Sequence, residues 1–145
     1  MEEVLFSSKS NEWENPQEFY DELNREFNFT LDPCCQEHNH KCDKYYTVQQ
    51  DGLSKSWAGE TVFCNPPYGR SIGKWVEKCY EEHLKGTVVV MLIPSRTDTT
   101  WFHKYILGKA EIRFVKGRMR FINRERPETR GLAPFPSMVV VYRKS

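Results

Sequence analysis

A continuous apolar run, Val88 to Ile93, follows directly after a segment with the spacing of an amphipathic helix. In Ile72 to Leu84 the apolar side chains recur three and four residues apart, and Gly86 is placed to end the helix. The apolar run is far too short to span a bilayer. It is typical of a strand buried on both faces of a parallel sheet, because helices cover both sides of such a sheet.

Strands and helices alternate along the rest of the chain. The spacing of apolar residues predicts helices at Pro16 to Phe27 and Thr99 to Leu107, and the polar stretch Cys34 to Lys44 predicts a loop. Four short β-prone runs predict further strands: Phe29 to Leu31, Thr61 to Cys64, Glu111 to Val115 and Met138 to Tyr142. The alternation predicts one α/β domain over residues 1–145, with an open, mostly parallel sheet flanked by helices.

Polar or turn-forming residues follow three of the predicted strands. They are Asp32, the segment Asn65 to Tyr68 and the segment Pro94 to Asp98. In open α/β sheets ligands bind beyond the carboxyl ends of the strands. We therefore expect a pocket where these three strand ends meet.

Asn65-Pro66-Pro67-Tyr68 is the segment of the chain most informative about chemistry. Two prolines stop the preceding strand and force an exposed turn. A side-chain amide oxygen and a proline-flanked carbonyl can then accept hydrogen bonds from one planar NH₂ group. An aromatic ring beside them can stack on the heterocycle that carries that group. The pattern is suited to an amino group on a purine or pyrimidine, or to an amide.

Charge is distributed unevenly along a chain whose net charge is only +1. Residues 1–60 carry 13 acidic and five basic residues, whereas residues 104–145 carry three acidic and eleven basic ones. The densest basic stretch, Arg113 to Arg130, interleaves cations with aromatic side chains and could bind phosphates. The alternative is a solvated, salt-bridged strand and loop.

Together these segments resemble the phage-type DNA adenine-N6 methyltransferase family. The resemblance runs from about Trp13 to Tyr142. It is carried by short motifs: Trp13 to Pro16, Leu31 to Cys34, Asp51 to Leu53 with Trp57, Phe63 to Tyr68, Thr97 to Thr99, Gly117 to Phe121 and Ala133 to Ser137. It implies a Rossmann-like fold that binds S-adenosylmethionine and methylates the exocyclic amine of a flipped adenine in double-stranded DNA.

The resemblance also implies roles for individual residues. The catalytic group would be Asn65, Pro66, Pro67 and Tyr68. Residues on the cofactor side would be Trp13, Pro16, Asp32, Pro33, Cys34 and Asp51. The basic stretch would contact phosphates through Lys116, Arg118 and Arg120. The small size predicts a short recognition sequence or recognition shared across a homodimer.

Two departures from the family pattern bear on the cofactor side. Larger relatives carry glycines after the acidic residue, but this chain has none between Asp32 and Gly52. Asn15 stands where a threonine is usual, and asparagine can also cap a helix. The acidic N-terminus lacks the pattern of a secretory signal, so we expect a cytoplasmic protein, in a bacterium or a phage-infected host.

Other interpretations remain open from the sequence. Cys34 to Cys42 holds five potential zinc ligands in nine residues, but it lacks a clear second pair, so free thiols and no metal are expected. The same motif could act on RNA adenine, cytosine N4 or a protein glutamine, since each offers a planar NH₂ group. A third possibility is a catalytically silent nucleic-acid-binding module with this fold.

Overall fold

The computed structural model describes residues 16–117, 120–122, 130–132 and 135–143. Within these ranges the helices are α1 (Pro16–Phe27), α2 (Ile72–Leu84) and α3 (Thr100–Tyr105). The strands are β1 (Leu31–Cys35), β2 (Lys44–Thr47), β3 (Thr61–Cys64), β4 (Val88–Pro94), β5 (Glu111–Phe114), β6 (Arg120–Ile122), β7 (Arg130–Leu132) and β8 (Ser137–Tyr142). The bounds predicted for α1 and α2 are confirmed.

Six of these strands form one sheet in the order β2-β1-β3-β4-β8-β5. Strands β2, β1, β3 and β4 are mutually parallel, and β8 runs antiparallel to both β4 and β5. Strands β6 and β7 pair with each other in a separate antiparallel sheet. The predicted α/β class is confirmed, with a mostly parallel, Rossmann-like sheet between helices.

Strand β4 is buried on both faces, as its composition predicts. Val89, Met91 and Ile93 lie in the core on the α2 side, whereas Val90 and Leu92 lie in the core on the α1 side. The alternation follows from the two-residue repeat of a strand. Helices α1 and α2 therefore cover opposite faces of the sheet.

The first predicted strand was placed wrongly. It was expected at Phe29 to Leu31 and to stop at Pro33, but β1 begins at Leu31 and continues through Pro33 to Cys35. The pairing between β1 and β2 shifts register between Asp32 and Cys35. Such a shift accommodates a proline, which has no N–H to donate to the ladder.

Three short strands were not predicted. Lys44 opens β2 at the end of the stretch that was expected to be a loop, and β6 and β7 lie in the basic C-terminal region. Strand β2 is at the edge of the sheet, and its residues are exposed or half-buried. It therefore lacks the apolar pattern by which a buried strand is recognised.

Among the described residues, no helix combines the length and the apolar character that crossing a membrane requires.

A buried carboxylate connects α2 to the segment that precedes β3. Glu82, on α2, is fully buried and accepts hydrogen bonds from the Trp57 backbone N–H (3.0 Å) and from Lys78 Nζ (2.9 Å). Burial acts to raise the pKa of Glu82, but these hydrogen bonds outweigh it and the pKa lies below its usual value. The carboxylate is thus ionised and satisfied in the folded protein.

Replacing Glu82 with alanine should destabilise the fold by about 3 kcal/mol, because it leaves a buried N–H and an ammonium group without their partner. Chemical denaturation would measure the loss. The neighbouring exposed residue gives the matched control, since Glu81→Ala should change stability by less than about 0.5 kcal/mol. Equal losses in both variants would contradict this role for Glu82.

Candidate active site

The motif Asn65-Pro66-Pro67-Tyr68 leaves β3 at its carboxyl end, as predicted. Asn65 is half-buried, Pro66 is buried and Pro67 is exposed. The Tyr68 hydroxyl donates a hydrogen bond to Asn65 Oδ1 over 3.1 Å. This bond orients the amide oxygen. Among the described residues, no hydrogen bond uses the Pro66 carbonyl.

The Tyr68 ring is held by neighbours on the α2 side of the sheet. It packs against the α2-side core and meets the ring of Phe135 edge-on, with centroids 5.2 Å apart. The guanidinium of Arg96 lies over the ring of Phe135, 5.8 Å from its centroid. Burial raises the pKa of Tyr68, so its hydroxyl stays protonated and remains a donor near neutral pH.

Two hydroxyl groups lie at the same edge of the sheet. Ser95 follows β4, where its backbone N–H donates to the Pro136 carbonyl at 2.9 Å, and Ser137 opens β8 opposite Pro94. Both side-chain oxygens are buried, and neither has a hydrogen-bond partner within the described ranges. Buried hydroxyls are usually hydrogen-bonded, so each is expected to have a partner outside the described residues, such as a water or a bound molecule.

Asp32 is the second residue of β1, the neighbouring strand, so it lies before the carboxyl end and not at that end, where it was predicted. Its side chain is only 3% exposed, and it accepts hydrogen bonds from the backbone N–H groups of Cys34 (3.3 Å) and Lys41 (2.9 Å). Burial nevertheless raises the pKa of Asp32 to about 6. A cationic or hydrogen-bond-donating ligand would therefore be favoured beside it, since it would stabilise the carboxylate.

A turn after β2 packs against β1 at Pro33. A Cβ atom placed on Gly52 would lie 2.0 Å from the Pro33 carbonyl oxygen, so only glycine permits this approach. The indole N–H of Trp57 donates to the Gly52 carbonyl at 3.0 Å and holds the turn in place. Asp51, exposed and in a left-handed conformation (φ 55°), lies next to this contact. Gly52 thus supplies, from a second segment, a close backbone approach that β1 itself lacks.

The structure places most of the predicted cofactor residues in β1 or next to it. Asp32, Pro33 and Cys34 belong to the strand, and the Gly52 contact brings the Asp51 turn against it. Pro16 begins α1. A hydrogen bond from Lys41 Nζ to Gln17 Oε1 (2.7 Å) connects the first turn of α1 to the segment that follows β1. Trp13 lies outside the described residues.

The predicted phosphate contacts are described only in part. Lys116 is exposed just after β5, and Arg120 begins β6, of whose side chains nothing is described. Arg118 lies outside the described ranges. Arg113, at the start of the predicted basic stretch, is 5% exposed and bonds the Glu26 carboxylate through both Nη atoms at 2.7 Å. For Arg113 the salt-bridge alternative therefore holds.

The cysteine and histidine cluster does not converge on one point. Cys34 packs against the α2-side core, whereas Cys42 is buried on the α1 side, 3.5 Å from the Tyr20 hydroxyl. His40 instead stacks on Tyr45, with ring centroids 3.9 Å apart. In the part of the chain that the structure describes, no three of these side chains share a metal-binding geometry.

The sequence interpretation gave no site role to Arg96, Phe135, Ser95, Ser137 or Gly52. Ser95 and Arg96 fall in the Pro94 to Asp98 segment, which was expected to help form a pocket at this edge, without a role for either residue. Phe135 and Ser137 belong to a motif that carried the family resemblance without an assigned role. The sequence signal was thus present, but the contacts that give these residues meaning are tertiary.

The raised pKa of Asp32 predicts an unusual pH dependence of stability. A folded-state pKa above the unfolded value of 3.8 means that the folded protein binds the proton more tightly. The contribution of Asp32 is therefore most favourable below about pH 4, and it is lost as pH rises through about 6.

The stability of the wild type relative to Asp32→Asn should fall by up to about 3 kcal/mol between pH 4 and pH 7. Denaturant unfolding of both proteins at several pH values would measure this difference. Asp43→Asn, at an exposed position between β1 and β2, is the control and should show a nearly constant difference. A wild type that gains stability over Asp32→Asn as pH rises would contradict the account.

Comparison with known proteins connects this geometry to a family. The family model described as DNA N-6-adenine-methyltransferase (Dam) matches residues 4–145. The chain is 30% identical over 133 residues to the DNA N-6-adenine-methyltransferase of Haemophilus phage HP1 (strain HP1c1), covering 90% of this chain and 77% of that protein. It is 29% identical over 106 residues to the protein of the same name from Escherichia phage T1, covering 72% of this chain and 44% of that longer protein. The chain that carries Asn65 to Tyr68 at the end of β3 therefore belongs to the DNA N-6-adenine-methyltransferase (Dam) family.

Proposed function

We propose that the protein transfers a methyl group from S-adenosylmethionine to the N6 amine of an adenine in double-stranded DNA. Family membership supports the reaction class. The observation that carries the proposal is the placement of two oxygen acceptors, Asn65 Oδ1 and the Pro66 carbonyl, on consecutive residues at the carboxyl end of β3. Two such acceptors match the two N–H hydrogens of an aromatic amine.

Asn65 and Pro66 make the amine a better nucleophile. The lone pair of adenine N6 is delocalised into the ring, and accepting both hydrogens draws the nitrogen toward tetrahedral geometry. The same two oxygens would stabilise the positive charge that develops on nitrogen as its bond to the methyl carbon forms and the bond from that methyl to the cofactor sulfur breaks. The methylated nitrogen would then become neutral by releasing one N–H proton to solvent. A preorganised polar group of this kind is worth about 3–4 kcal/mol. Because an amide oxygen has two lone pairs, Asn65 can keep its bond from Tyr68 while it accepts from the base.

Tyr68 supports the base by stacking. Its ring packs against the core and makes an edge-to-face contact with Phe135, so little side-chain entropy remains to be lost when a base binds. Stacking of a base on an aromatic ring is worth about 1–3 kcal/mol. This offsets part of the few kcal/mol that extrusion of an adenine from the duplex costs.

The residues around Asp32 fit S-adenosylmethionine, which when bound supplies an electrophilic methyl group. The buried Asp32 carboxylate has a raised pKa and favours a positively charged or donating partner. Asp32 lies in β1, which is adjacent to β3, and this supports a cofactor side next to the catalytic motif. Pro33, Cys34 and Asp51 would complete this side, and the tight approach of Gly52 to Pro33 shapes its wall.

The direct test is transfer of a labelled methyl group from S-adenosylmethionine to unmethylated duplex DNA, with identification of the product nucleoside. The wild type should yield N6-methyladenine. Asn65→Ala should lower the rate about 100- to 1,000-fold, because an acceptor at the reacting nitrogen is lost. Asn65→Asp is the matched variant; it keeps an acceptor oxygen and should retain most of the activity.

Both variants should bind S-adenosylmethionine as the wild type does, since Asn65 is assigned to the base and not to the cofactor. Full activity in Asn65→Ala would contradict the mechanism. Label in RNA, in cytosine or in protein glutamine would keep the chemistry but replace the substrate. Cofactor binding without transfer to any of these would favour a silent nucleic-acid-binding module.

A further inference from the structure

Three exposed cations follow three strands that end at the same edge of the sheet. Arg70 lies in the segment after β3, Arg96 in the segment after β4, and Lys116 just after β5. Strand β5 is antiparallel to β8, which is antiparallel to β4, so β5 and β4 end at the same edge. Their order across the edge follows the order of the strands in the sheet.

None of the three cations is neutralised by a neighbour that the structure describes. Within the described ranges, no carboxylate lies within ion-pair distance of Arg70, Arg96 or Lys116. Two buried or half-exposed arginines farther from this edge are paired, since Arg113 and Arg143 share the carboxylates of Glu26 and Glu111. These two arginines have structural roles, whereas Arg70, Arg96 and Lys116 have no carboxylate partner among the described residues.

Arg96 is the best placed of the three because its guanidinium rests on a ring. It lies over Phe135, whose own ring meets Tyr68 edge-on, so a row of contacts runs from Arg96 to the catalytic motif. Hydrogen bonds fix the backbone on both sides of Arg96, from Ser95 N–H to the Pro136 carbonyl (2.9 Å) and from Thr99 Oγ1 to the Arg96 carbonyl (2.8 Å). A planar guanidinium held in this way is suited to bidentate contact with phosphate.

The rest of the same edge carries the opposite charge. Asp51 lies after the end of β2 and Glu37 after the end of β1, while Asp32 lies within β1. The segments after β1 and β2 are therefore acidic, and those after β3, β4 and β5 are together basic, although Asp98 also follows β4. An anionic backbone would be attracted to the basic side and repelled from the acidic side.

We infer that Arg70, Arg96 and Lys116 form a binding surface for the DNA phosphate backbone, with Arg96 next to the target base. The inference rests on the proposed function for the identity of the polymer. Neighbouring strands lie about 4.8 Å apart, so the surface from β3 to β5 spans about 14 Å. At about 3.4 Å per base pair, this length covers about four base pairs of duplex.

Salt dependence of DNA binding tests the surface directly. Each phosphate contact adds about 0.9 to the slope of log affinity against log salt concentration. Arg96→Gln should therefore reduce the slope by about 0.9, and Arg70→Gln together with Arg96→Gln by about 1.8. Between 50 and 200 mM salt, the wild type should lose about 3.5-fold more affinity than Arg96→Gln does. Fluorescence anisotropy with a labelled 20-base-pair duplex would measure these values.

Lys109→Gln is the matched control, because Lys109 is equally exposed but precedes β5 and so lies at the opposite edge. Its slope should equal that of the wild type. An unchanged slope in Arg96→Gln, or an equal decrease in Lys109→Gln, would overturn the inference. The binding assay needs no methyl transfer, so a wild type that binds DNA with this slope pattern but transfers no methyl group would overturn the proposed function and leave the phosphate surface supported.

A second measurement tests the position of Arg96 beside the base. Arg96→Lys keeps the charge but not the planar guanidinium. Its slope of log affinity against log salt concentration should equal that of the wild type, whereas its methylation rate at saturating DNA should be several-fold below that of the wild type. Full rescue of both quantities would contradict a positioning role for Arg96. Thermal unfolding of each variant, expected within a few degrees of the wild type for an exposed residue, checks that the fold is retained.

Discussion

The parallel alignment of β1, β3 and β4 is the constraint on which the rest of this molecule depends. Parallel strands end at the same edge, so the segments that follow β1, β3 and β4 meet there although they are far apart in the sequence. The alignment is stable because β4 is apolar on both faces and helices α1 and α2 cover it from opposite sides. A core that needs two covering layers thus creates the shared edge where chemistry can occur.

The spacing of apolar residues along the chain predicted the elements whose burial follows that spacing. Helices α1 and α2 were placed with the right bounds because their apolar residues recur at helical spacing over three turns or more. Strand β2 was missed because an exposed edge strand needs no such pattern. The course of β1 through Pro33 depends on a register shift against β2, and a sequence does not reveal which strand lies beside another.

In the candidate site too, features set by local sequence could be predicted and features set by tertiary contacts could not. The position of Asn65 to Tyr68 at the carboxyl end of a strand could be predicted, because four consecutive residues form the motif and a short strand precedes them. The support of Tyr68 by Phe135 could not, because these residues are 67 positions apart and meet only through the pairing of β4 with β8. The contact of Gly52 with Pro33 is hidden for the same reason. In the proposed function, Gly52 would supply the close backbone approach that glycines after the acidic residue supply in larger relatives.

The fold places the acidic and basic parts of the chain on different sides of one sheet edge. The acidic N-terminal part supplies the segments after β1 and β2, and the later part of the chain supplies the cations after β3, β4 and β5. A near-neutral protein thus presents two oppositely charged halves along one edge. In the proposed function, a cationic cofactor and an anionic nucleic acid approach Asn65 from opposite sides.

The central claim is that Asn65 Oδ1 and the Pro66 carbonyl together hold the amine of the target adenine. The most direct test is a crystal structure of the protein with a duplex that contains its target adenine and with S-adenosylhomocysteine, the product of the cofactor. The account predicts an adenine outside the helical stack, with N6 about 2.7–3.1 Å from both oxygens. An adenine still paired within the duplex, or an N6 bound by other groups, would contradict it.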